Sequence, residues 1–500
     1  MQRLLDKHER RFTRCLEMLP GMLAWTLILL PAVGGFFFPE LIAYGLLVFV
    51  SFWFIKSFRN AYLSIKGYYL VKSWLKINWK NRFEKVKKKD YSWNDIYHVI
   101  IIPAYKEPDV VIKKALNALK NQKQLDSRNL IVYLGFEKRD PGSPKQAKRL
   151  VEQYRKYFGA LKTTFHPPDL PNEIPGKASN EAWVAKKARL YLKKKNIPLA
   201  QVTVTSCDVD TIFHKHYFAA LTYFFIRNPK RYLRFWQSAI FWYNNIHKVP
   251  FPIKMLGVIG HAIHLSDLQE PSRLIFNQSS YSLSFKLLDD VGYWHTDIIP
   301  EDWHLFLQTF FAKSGEIEVE PIFLPTHIDA PEGATWFGSI KNRYSQSVRH
   351  AWGASDIPYA IKESIRHHEI PISLRFMRVY KLLETHIIWS TNWFILTLGA
   401  FLPVLINPAF ARTSLGHNLP EIAEAALTVC LLALAVMIIV DLMLRPKSTR
   451  PQSPFQYAKE VVQWITLPIV TLPLSVLPGL HAHTMLMVGK RLDYKTTKKV

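Results

Sequence analysis

Two carboxylates stand two residues apart directly after an apolar, strand-like segment. The segment is QVTVTSC, and the two acids are Asp208 and Asp210. In an extended chain both side chains project to the same side, so their oxygens can share a hard divalent cation. Such a cation can neutralise a diphosphate as it departs. A solvated acidic turn is the alternative interpretation of this pattern when it is taken alone.

A second acidic pair, Glu301 and Asp302, opens a predicted helix directly after Pro300. Proline suits the first turn of a helix, and the helix dipole favours negative charge there. We therefore expect a lowered pKa for Asp302, which would leave it ionised and available as a general base. A helix-start acid pair is also common in proteins without any catalytic role, and that is the alternative.

Two further segments supply groups suited to phosphate. PGKASNEAW (175–183) places Lys177 and Asn180 at the mouth of a helix, where a cation and backbone N–H groups can meet phosphate. In WFGSIKNRYSQSVRHAWG (336–353), apolar residues recur at helical spacing on one face, and Gln346 and Arg349 fall on another. This pattern predicts an interfacial helix that turns Arg349 toward the catalytic domain as a fixed cation. For Arg343 and Arg349, a lipid-headgroup anchor is the alternative.

An open α/β sheet would bring these residues together. Residues 96–122 indicate a buried strand that stops at Pro103, a loop over Ala104–Asp109 and then an amphipathic helix. A second strand, NLIVYLGFEKRD, ends in the polar run from Glu137 to Asp140. Ligands of such sheets bind at the carboxyl ends of the strands. We therefore predict an α/β domain over residues 95–335, although an ordinary βα turn would show the first pattern as well.

The composition of the 500-residue chain narrows its class. Its hydrophobic fraction of 49% excludes a disordered chain, and its three cysteines lie too far apart to form a disulfide framework. The net charge of +26 indicates either a nucleic-acid partner or a membrane protein with basic cytoplasmic flanks. No array of stacking aromatic and basic residues is present, so we expect no nucleic-acid partner.

Apolar runs place the chain in a membrane. Residues 1–58 comprise a basic tail and a transmembrane hairpin, since each apolar run between Met18 and Ile55 approaches the roughly 20 residues that cross a bilayer. A signal peptide is the alternative for the first run, but no cleavage site separates it from the second. Basic residues flank the hairpin on both sides, which predicts that both flanks are cytoplasmic.

The remaining boundaries follow from composition. We predict the following segments: a basic amphipathic linker (59–94), interfacial amphipathic helices (336–380), two transmembrane helices (381–445, with apolar runs at 386–405 and 425–440), and a last membrane segment with a basic tail (446–500). Pro468, Pro473 and Pro478 interrupt the last apolar stretch, 461–489, and a single crossing would place the basic tail outside. Two short half-helices or a re-entrant pair are therefore favoured there.

The motifs taken together resemble those of membrane-integrated family 2 glycosyltransferases, the group that includes cellulose synthase and hyaluronan synthase. IPAYKE is similar to the P-x-Y-N-E opening, GKAS to G-K-A, DVDT to D-x-D, PEDWHL to T-E-D and QSVRH to Q-x-x-R-W. WQSAIFWYNN (236–245) is similar to the Q-x-x-x-F-x-N stretch beside the acceptor. The resemblance covers about residues 96–352 and has five signatures in the family's order.

The resemblance implies a cytoplasmic GT-A domain, which is Rossmann-like with a mixed sheet, between roughly two N-terminal and three C-terminal membrane segments. It implies an inverting transfer with Asp302 as the base and with Mg²⁺ or Mn²⁺ on Asp208 and Asp210. The residues that it implies for donor binding are Pro103, Tyr105, Glu107, Glu137, Asp140, Lys177, Gln346 and Arg349. Those that it implies for the acceptor side are Gln237, Asn244, Glu301, His350 and Trp352.

Three departures from the family pattern bear on specificity. GFEKRD stands where the family has an acidic D-D-G that grips the base, so Glu137 or Asp140 would substitute and the nucleotide is left open. Pro300 replaces the threonine of T-E-D, which could reposition the base. His350 replaces the tryptophan that stacks on the acceptor in processive enzymes, although Trp352 lies two residues on, so processivity is unsupported.

We therefore expect a multi-pass plasma-membrane enzyme whose catalytic domain faces the cytoplasm and contacts membrane lipids. Its expected donor is a UDP- or GDP-sugar, and its acceptor is a polysaccharide or glycolipid. A single-sugar transferase to polyprenyl phosphate or another lipid is one alternative. A non-catalytic membrane scaffold is another, but such a scaffold has no reason to keep Asp208, Asp210, Asp302 and Arg349 together.

Overall fold

The structure, a computed structural model, describes residues 2–86, 90–446 and 454–492. The basic tail from residue 493 onward and most of the basic loop 445–454 lie outside the described residues. The helices are α1 (Gln2–Phe37), α2 (Pro39–Trp74), α3 (Trp79–Glu84), α4 (Asp109–Lys120), α5 (Ser143–Tyr154), α6 (Lys177–Lys194), α7 (Tyr217–Arg227), α8 (Phe251–Asp267), α9 (Phe285–Asp290), α10 (Glu301–Ala312), α11 (Trp336–Ala351), α12 (Asp356–Arg366), α13 (Ile372–Phe394), α14 (Leu402–Ile406), α15 (Pro408–Ala411), α16 (Ser414–Leu444), α17 (Pro454–Gln463), α18 (Leu467–Thr471) and α19 (Leu477–Met487).

One mixed sheet of eight strands forms the centre of the predicted α/β domain and confirms its fold class. The strands are β1 (Tyr97–Ala104), β2 (Leu130–Glu137), β3 (Ala160–His166), β4 (Val202–Ser206), β5 (Ile212–Phe213), β6 (Arg234–Phe241), β7 (Tyr281–Ser284) and β8 (Glu318–His327). Their spatial order is β3-β2-β1-β4-β7-β6-β8-β5. β1 pairs in parallel with both β2 and β4, whereas β7 runs antiparallel to β4 and β6.

The strands are apolar because both faces of the sheet are covered. Along β1, Val99 and Ile101 belong to one buried cluster and Ile100 and Ile102 to the other, as the two-residue period of a strand requires. Tyr133 of β2 lies in the first of these clusters. Because β1, β2 and β4 run in the same direction, their carboxyl ends reach one edge of the sheet, which is where polar loops follow.

Four helical segments within the described residues are long and apolar enough to cross a membrane. They are Glu9–Phe37, Pro39–Trp74, Ser414–Leu444 and Lys459–Met487. The hairpin predicted at the N-terminus is thus two helices, and α2 continues through the predicted boundary at residue 58. The predicted run 386–405 differs. It begins within α13, which carries four charged residues before residue 386, and continues through a wide helical turn at Ile395–Gly399 into α14.

The last apolar stretch does not divide into the two half-helices expected from its prolines. α17, α18 and α19 form one continuous helical run, joined by a tight turn at Trp464–Thr466 and a wide turn at Leu472–Val476. These departures from α geometry absorb the missing proline N–H groups without ending the helix. The run begins against α8, where Lys254 pairs with Glu460 at 3.4 Å. It ends against the basic start of α1, where Arg14 donates to the Leu486 carbonyl at 2.7 Å.

A buried polar network joins the sheet domain to α16. Asp441, which is 2% exposed, accepts a hydrogen bond from the Tyr243 hydroxyl at 2.7 Å and lies 2.7 Å from His261 Nδ1. Arg445 pairs with the other oxygen of Asp441 at 2.6 Å. The Trp242 backbone N–H donates to His261 Nε2 at 2.8 Å, so Nδ1 carries the proton that faces Asp441. The α8 face of the domain is therefore fixed to this membrane-length helix.

Gly135 in β2 is a position where the fold needs the smallest side chain. A Cβ there would lie 2.1 Å from Asn180 Oδ1 and 2.8 Å from Val184 Cγ2. We expect Gly135→Ala to destabilise the protein by about 1–3 kcal/mol, because the backbone of β2 and helix α6 would have to move apart. The measurement is the apparent Tm in detergent. Gly45→Ala on α2 is the matched control, since its Cβ would meet nothing within 4 Å. An equal effect of the two changes would contradict this account of the packing.

Candidate active site

A cavity of about 570 Å³ opens at the carboxyl ends of β1, β2 and β4. Most of the residues singled out from the sequence line this one space. They are Pro103, Tyr105, Glu107, Glu137, Lys177, Asp208, Asp210, Glu301, Asp302, Gln346, Arg349 and His350. Residues that are far apart in the chain, from β1 to α11, therefore share a single site.

Lys177, the first residue of α6, is the central cation of the site. Its ammonium lies 2.8 Å from Asp208 Oδ1 and 2.7 Å from Glu301 Oε1, and it donates to the Ser279 carbonyl at 2.8 Å. Burial alone would lower the pKa of Lys177, but the carboxylates of Asp208, Glu301 and Glu181 outweigh it and raise the pKa well above its usual value. The side chain is therefore a permanent positive charge between acids from two different loops.

Ser279 connects the two acidic pairs that the sequence identified. Its backbone N–H donates to Asp302 Oδ2 at 3.0 Å, and its hydroxyl donates to Asp208 Oδ2 at 2.5 Å. The residue adopts a left-handed conformation with φ of 55°, which is unfavourable for a side chain other than glycine. The surrounding contacts hold this strained residue in place, so Asp208 and Asp302 are positioned by the same short loop.

Asp302 lies in the first turn of α10, as the sequence predicted, but the expected lowering of its pKa was wrong. Burial raises the pKa of Asp302, although hydrogen bonds from the backbone N–H groups of Ser279 and Trp303 and the charge of Lys177 act in the opposite direction. The dipole of α10 was predicted to dominate, yet removal of the carboxylate from water is the larger effect. Burial likewise raises the pKa of its neighbour Glu301, to about 7. A raised pKa brings a carboxylate closer to the range in which a general base works best.

Asp208 and Asp210 both line the cavity, but the chain between them is not extended. The Thr211 N–H donates to the Asp208 carbonyl at 2.9 Å, which closes a turn. Asp210 Oδ2 accepts from the Asp329 N–H at 2.9 Å, and Asn244 donates to the Asp210 carbonyl at 2.8 Å. Within the described part of the chain, no group of three or more His, Cys, Asp or Glu residues could hold a metal ion. These two aspartates offer hard oxygen donors that fit Mg²⁺ or Mn²⁺, with the other ligands coming from phosphate or water.

The lining near the ends of β1 and β2 combines an aromatic ring with charge. The Arg139 guanidinium lies 4.3 Å from the centre of the Tyr105 ring and 3.4 Å from Glu137 Oε2. Glu137 is buried and accepts from the Asn180 amide at 2.7 Å. A planar ring, a guanidinium and a carboxylate held together in this way can bind a nucleobase through stacking and hydrogen bonds.

Gln346 and Arg349 line the cavity, and both lie on the face of α11 that the sequence predicted to turn toward the domain; His350 lines the cavity as well. Gln346 accepts from Arg343 at 3.0 Å, and the Arg343 guanidinium lies 4.9 Å from the centre of the Trp242 ring. Arg343, expected as a possible lipid anchor, is instead buried within the protein. Arg349 lines the same cavity as Asp208, so the cavity includes a guanidinium from α11.

Four residues singled out from the sequence do not line the cavity. Asp140 accepts from the Gly142 N–H at 3.1 Å and closes a surface turn instead of gripping a base. Gln237 is fully buried and accepts from the Gln278 N–H at 2.7 Å, so it supports the Ser279 loop from behind. Asn244 supports the backbone of Asp210, and Trp352 packs in the apolar core. These four side chains therefore support the fold around the cavity and do not form its lining.

Several lining residues were missed by sequence reasoning. Arg139 and Ser279 belong to loops whose conformation no periodic pattern predicts. Trp303 follows Asp302 directly, and its place beside the acid pair was an available signal that was not used. The α8 residues His261, His264 and Asp267 and the α13 residues Lys381 and Trp389 also line the cavity. Their contribution depends on how two distant helices pack, which the sequence does not show.

Comparisons with known proteins identify similar solved structures but no family. No model of a known protein family matches the chain, and no curated protein matches it. Among solved structures, the chain is similar to the mannosyltransferase PcManGT from Pyrobaculum calidifontis in complex with GDP-Man and Mn²⁺, with a TM-score of 0.45 and 14% identity over 90% of this chain and 99% of that one. It is also similar to S. aureus TarS 1-349 in complex with UDP, with a TM-score of 0.37 and 12% identity over 72% of this chain and 94% of that one. At such TM-scores neither likeness carries an inference about activity.

The buried acid Glu181 gives the site a testable pH dependence. Burial raises its pKa to about 8 from an ordinary value of 4.5, so the folded chain binds its proton more tightly than the unfolded chain does. Its contribution to stability is complete below pH 4.5 and is lost as the pH rises through about 8. We expect Glu181→Gln, which cannot ionise, to reduce the fall in Tm between about pH 5 and 8.

The measurement is thermal unfolding of the native protein and of the variant across this pH range. The matched control is Glu152→Gln on the exposed face of α5, which should leave the slope of Tm against pH unchanged. A Glu181→Gln variant with the slope of the native protein would refute the assignment of the pH dependence to this acid.

Proposed function

We propose that this protein is a metal-dependent, inverting glycosyltransferase of the GT-A, family 2 type that takes a UDP- or GDP-sugar as donor. The observation that carries the proposal is the cluster in which Lys177 joins Asp208 to Glu301 and Ser279 joins Asp208 to Asp302. In this cluster, residues suited to phosphate and metal lie beside a buried carboxylate suited to proton removal. The cluster also lies in one cavity with a ring and a guanidinium suited to a nucleobase.

On the donor side, the nucleobase would lie against Tyr105 and Arg139, and Glu137 would accept hydrogen bonds from it. Lys177 and Arg349 would contact the diphosphate, since both are cations that line the same cavity. Asp208 and Asp210 would hold Mg²⁺ or Mn²⁺. When bound, this ion would neutralise charge that develops on the leaving diphosphate.

On the acceptor side, Asp302 would take the proton of the attacking hydroxyl. The acceptor oxygen would form a bond to the anomeric carbon while the bond from that carbon to the diphosphate oxygen breaks, with inversion of configuration. The proton would pass to a carboxylate oxygen of Asp302, and the bonding electrons would leave with the nucleoside diphosphate. The N–H groups of Ser279 and Trp303 would keep the carboxylate oriented throughout.

The helices of membrane length support the choice of acceptor class. The four apolar helices flank the domain in sequence, and helix α8, whose residues line the cavity, is fixed to α16 through Asp441. We therefore propose that the acceptor is a glycan or a glycolipid at the cytoplasmic face of the plasma membrane. Basic residues around the helices support this orientation through the positive-inside rule. A processive polymerase and a single-sugar transferase both agree with these features.

The direct experiment is a screen of nucleotide-sugars for release of nucleoside diphosphate by the purified full chain, with Mn²⁺ and with a chelator. The proposal expects release with at least one donor, and it expects that the chelator suppresses this release. No release with any UDP- or GDP-sugar, or release that the chelator leaves unchanged, would overturn the metal-dependent transferase proposal.

Removal of the proposed base should separate catalysis from binding. We expect Asp302→Asn to lower kcat by about 10²–10⁴-fold while the Kd for the nucleoside diphosphate and Mn²⁺ stays within about threefold of native. Turnover and calorimetric binding are the two measurements. Asp297→Asn, five residues earlier and exposed, is the matched control. Retained turnover in Asp302→Asn would remove Asp302 from the mechanism.

The raised pKa of Asp302 should appear in the pH–rate profile. A general base must be deprotonated, so activity is lost as the pH falls through the pKa of that base. Because burial raises this pKa, we expect the acid limb of kcat/KM to lie above 3.8, the ordinary value for aspartate. Recovery of activity after return to neutral pH controls for denaturation. An acid limb with a pKa at or below 3.8 would contradict the account in which burial raises the pKa of Asp302.

A further inference from the structure

The cavity continues beyond the acid cluster to a second end, which we term the helix-lined arm. Its lining residues include Trp242 after β6, His264 and Asp267 of α8, and Lys381 and Trp389 of α13. Trp303, next to the proposed base, connects this arm to the acid cluster. None of the roles proposed above for the donor uses the arm, so its chemistry requires a separate explanation.

Aromatic surfaces characterise the arm. Trp303 stacks on Phe276 with ring centres 4.7 Å apart, and its ring centre lies 5.8 Å from that of His386. The ring of Trp389 lies nearly parallel to that of His386 at 6.4 Å. The Trp389 indole N–H donates to Ser475 at 2.9 Å, which fixes the ring while its surface lines the cavity. Rigid indoles of this kind suit the C–H faces of a pyranose ring.

The charged side chains of the arm are largely paired with their neighbours. Its acidic and basic side chains are two acids and one base, namely Asp267, Glu270 and Lys381. Glu270 pairs with Arg59, and Lys381 pairs with Glu384 at 3.5 Å. Burial raises the pKa of Asp267 to about 6, so this acid is still largely ionised at neutral pH. The neighbouring His264 is neutral there, because burial lowers its pKa to about 4.

The two ends of the cavity therefore differ in their cations. Arg139, Lys177 and Arg349 line the end proposed for the donor, whereas Lys381, the basic residue of the arm, is paired with Glu384 at 3.5 Å. A lining whose basic side chain is already paired attracts a phosphorylated acceptor weakly, while its carboxylates accept hydrogen bonds from hydroxyl groups. A sugar ring presents hydroxyl groups at its rim and C–H groups on its faces, which matches a lining of carboxylates and indoles.

We propose that the helix-lined arm is the acceptor subsite, and that it binds the neutral sugar ring at the end of a glycan or glycolipid against Trp303 and Trp389. This inference rests on the proposed function and deepens it, since it assigns the acceptor as a carbohydrate and not a lipid phosphate. Trp389 is a binding residue, and Asp302 beside Trp303 is the group that the acceptor hydroxyl reaches.

Two tryptophans of α13 provide the test. Trp389 and Trp393 lie one helical turn apart, and each donates its indole N–H at 2.9 Å, to Ser475 and to the Pro468 carbonyl respectively. Only Trp389 of this pair is among the residues that line the cavity. We expect Trp389→Leu to raise the acceptor KM about tenfold at nearly unchanged kcat, and Trp393→Leu to leave the KM unchanged.

The assays use the full chain in a detergent without a sugar head group. The acceptor probes are octyl glycosides of glucose, mannose, galactose and N-acetylglucosamine, with dodecyl phosphate as the competing acceptor. Each variant is also tested for nucleoside diphosphate binding with Mn²⁺, which both substitutions should leave unchanged. Trp389→Phe, which keeps an aromatic surface, should restore much of the KM lost in Trp389→Leu.

The outcomes separate this inference from the proposed function. If the native protein releases no diphosphate from any nucleotide-sugar, the proposed function itself fails. If it transfers sugar, the inference is overturned by preferred use of dodecyl phosphate, by no use of any glycoside, or by an equal KM for native and Trp389→Leu proteins. Equal rises in KM for Trp389→Leu and Trp393→Leu would overturn it as well, because the effect would then come from α13 packing.

Discussion

The site depends on one buried ammonium group. Removal of a lysine from water costs several kcal/mol, and removal of carboxylates from water costs a similar amount for each. Lys177 offsets these costs because it contacts Asp208 and Glu301 together and lies close enough to Glu181 for its charge to act there. Without this ammonium, acids from the loops after β4 and before α10 would repel one another. The closeness of these loops is therefore a consequence of charge pairing as much as of the sheet topology.

The same pairing sets the protonation of the acids. Burial raises the pKa values of Glu181, Glu301 and Asp302, and the charge of Lys177 opposes this effect at each of them. Asp302 accepts hydrogen bonds from two backbone N–H groups in addition, whereas Glu181 accepts one from the Ser206 hydroxyl at 2.6 Å. Neighbouring carboxylates thus have different proton affinities, which is the condition under which one acid can serve as a base while another stays protonated.

The sequence predicted the parts of this arrangement that depend on periodicity and local chemistry. The apolar strands, the start of α6 at Lys177 and the inward face of α11 follow from apolar spacing and capping, and the structure contains each of them. Because ligands of such sheets bind at the carboxyl ends of the strands, the sequence also predicted that Asp208 lies at the site. The sign of the pKa shift of Asp302 was wrong because burial is a tertiary property. A helix dipole can be inferred from two neighbouring residues, whereas the depth of a carboxylate depends on every element packed around it.

The remaining differences have the same origin. Asp140, Gln237, Asn244 and Trp352 have residue types suited to ligands, yet three of them bind backbone groups and the fourth packs in the core. A motif defines which residues lie near a site, and it does not distinguish those that face the ligand from those that support them. The helix-lined arm was missed for a related reason, since α8 and α13 lie more than a hundred residues apart and meet only in the folded chain.

The attachment of α8 to α16 connects the candidate active site to a helix of membrane length. Asp441 contacts one nitrogen of His261, and the Trp242 N–H donates to the other, so the α8 residues that line the cavity are attached to a membrane-length helix. Other lining residues belong to α13, which pairs with Lys56 of α2 through Glu384 at 2.5 Å. Both walls of the arm are thus tied to helices of membrane length, whereas the donor end is built from loops of the sheet. In the proposed reaction, a donor bound by the loops of the sheet and an acceptor bound beside these helices would meet at Asp302.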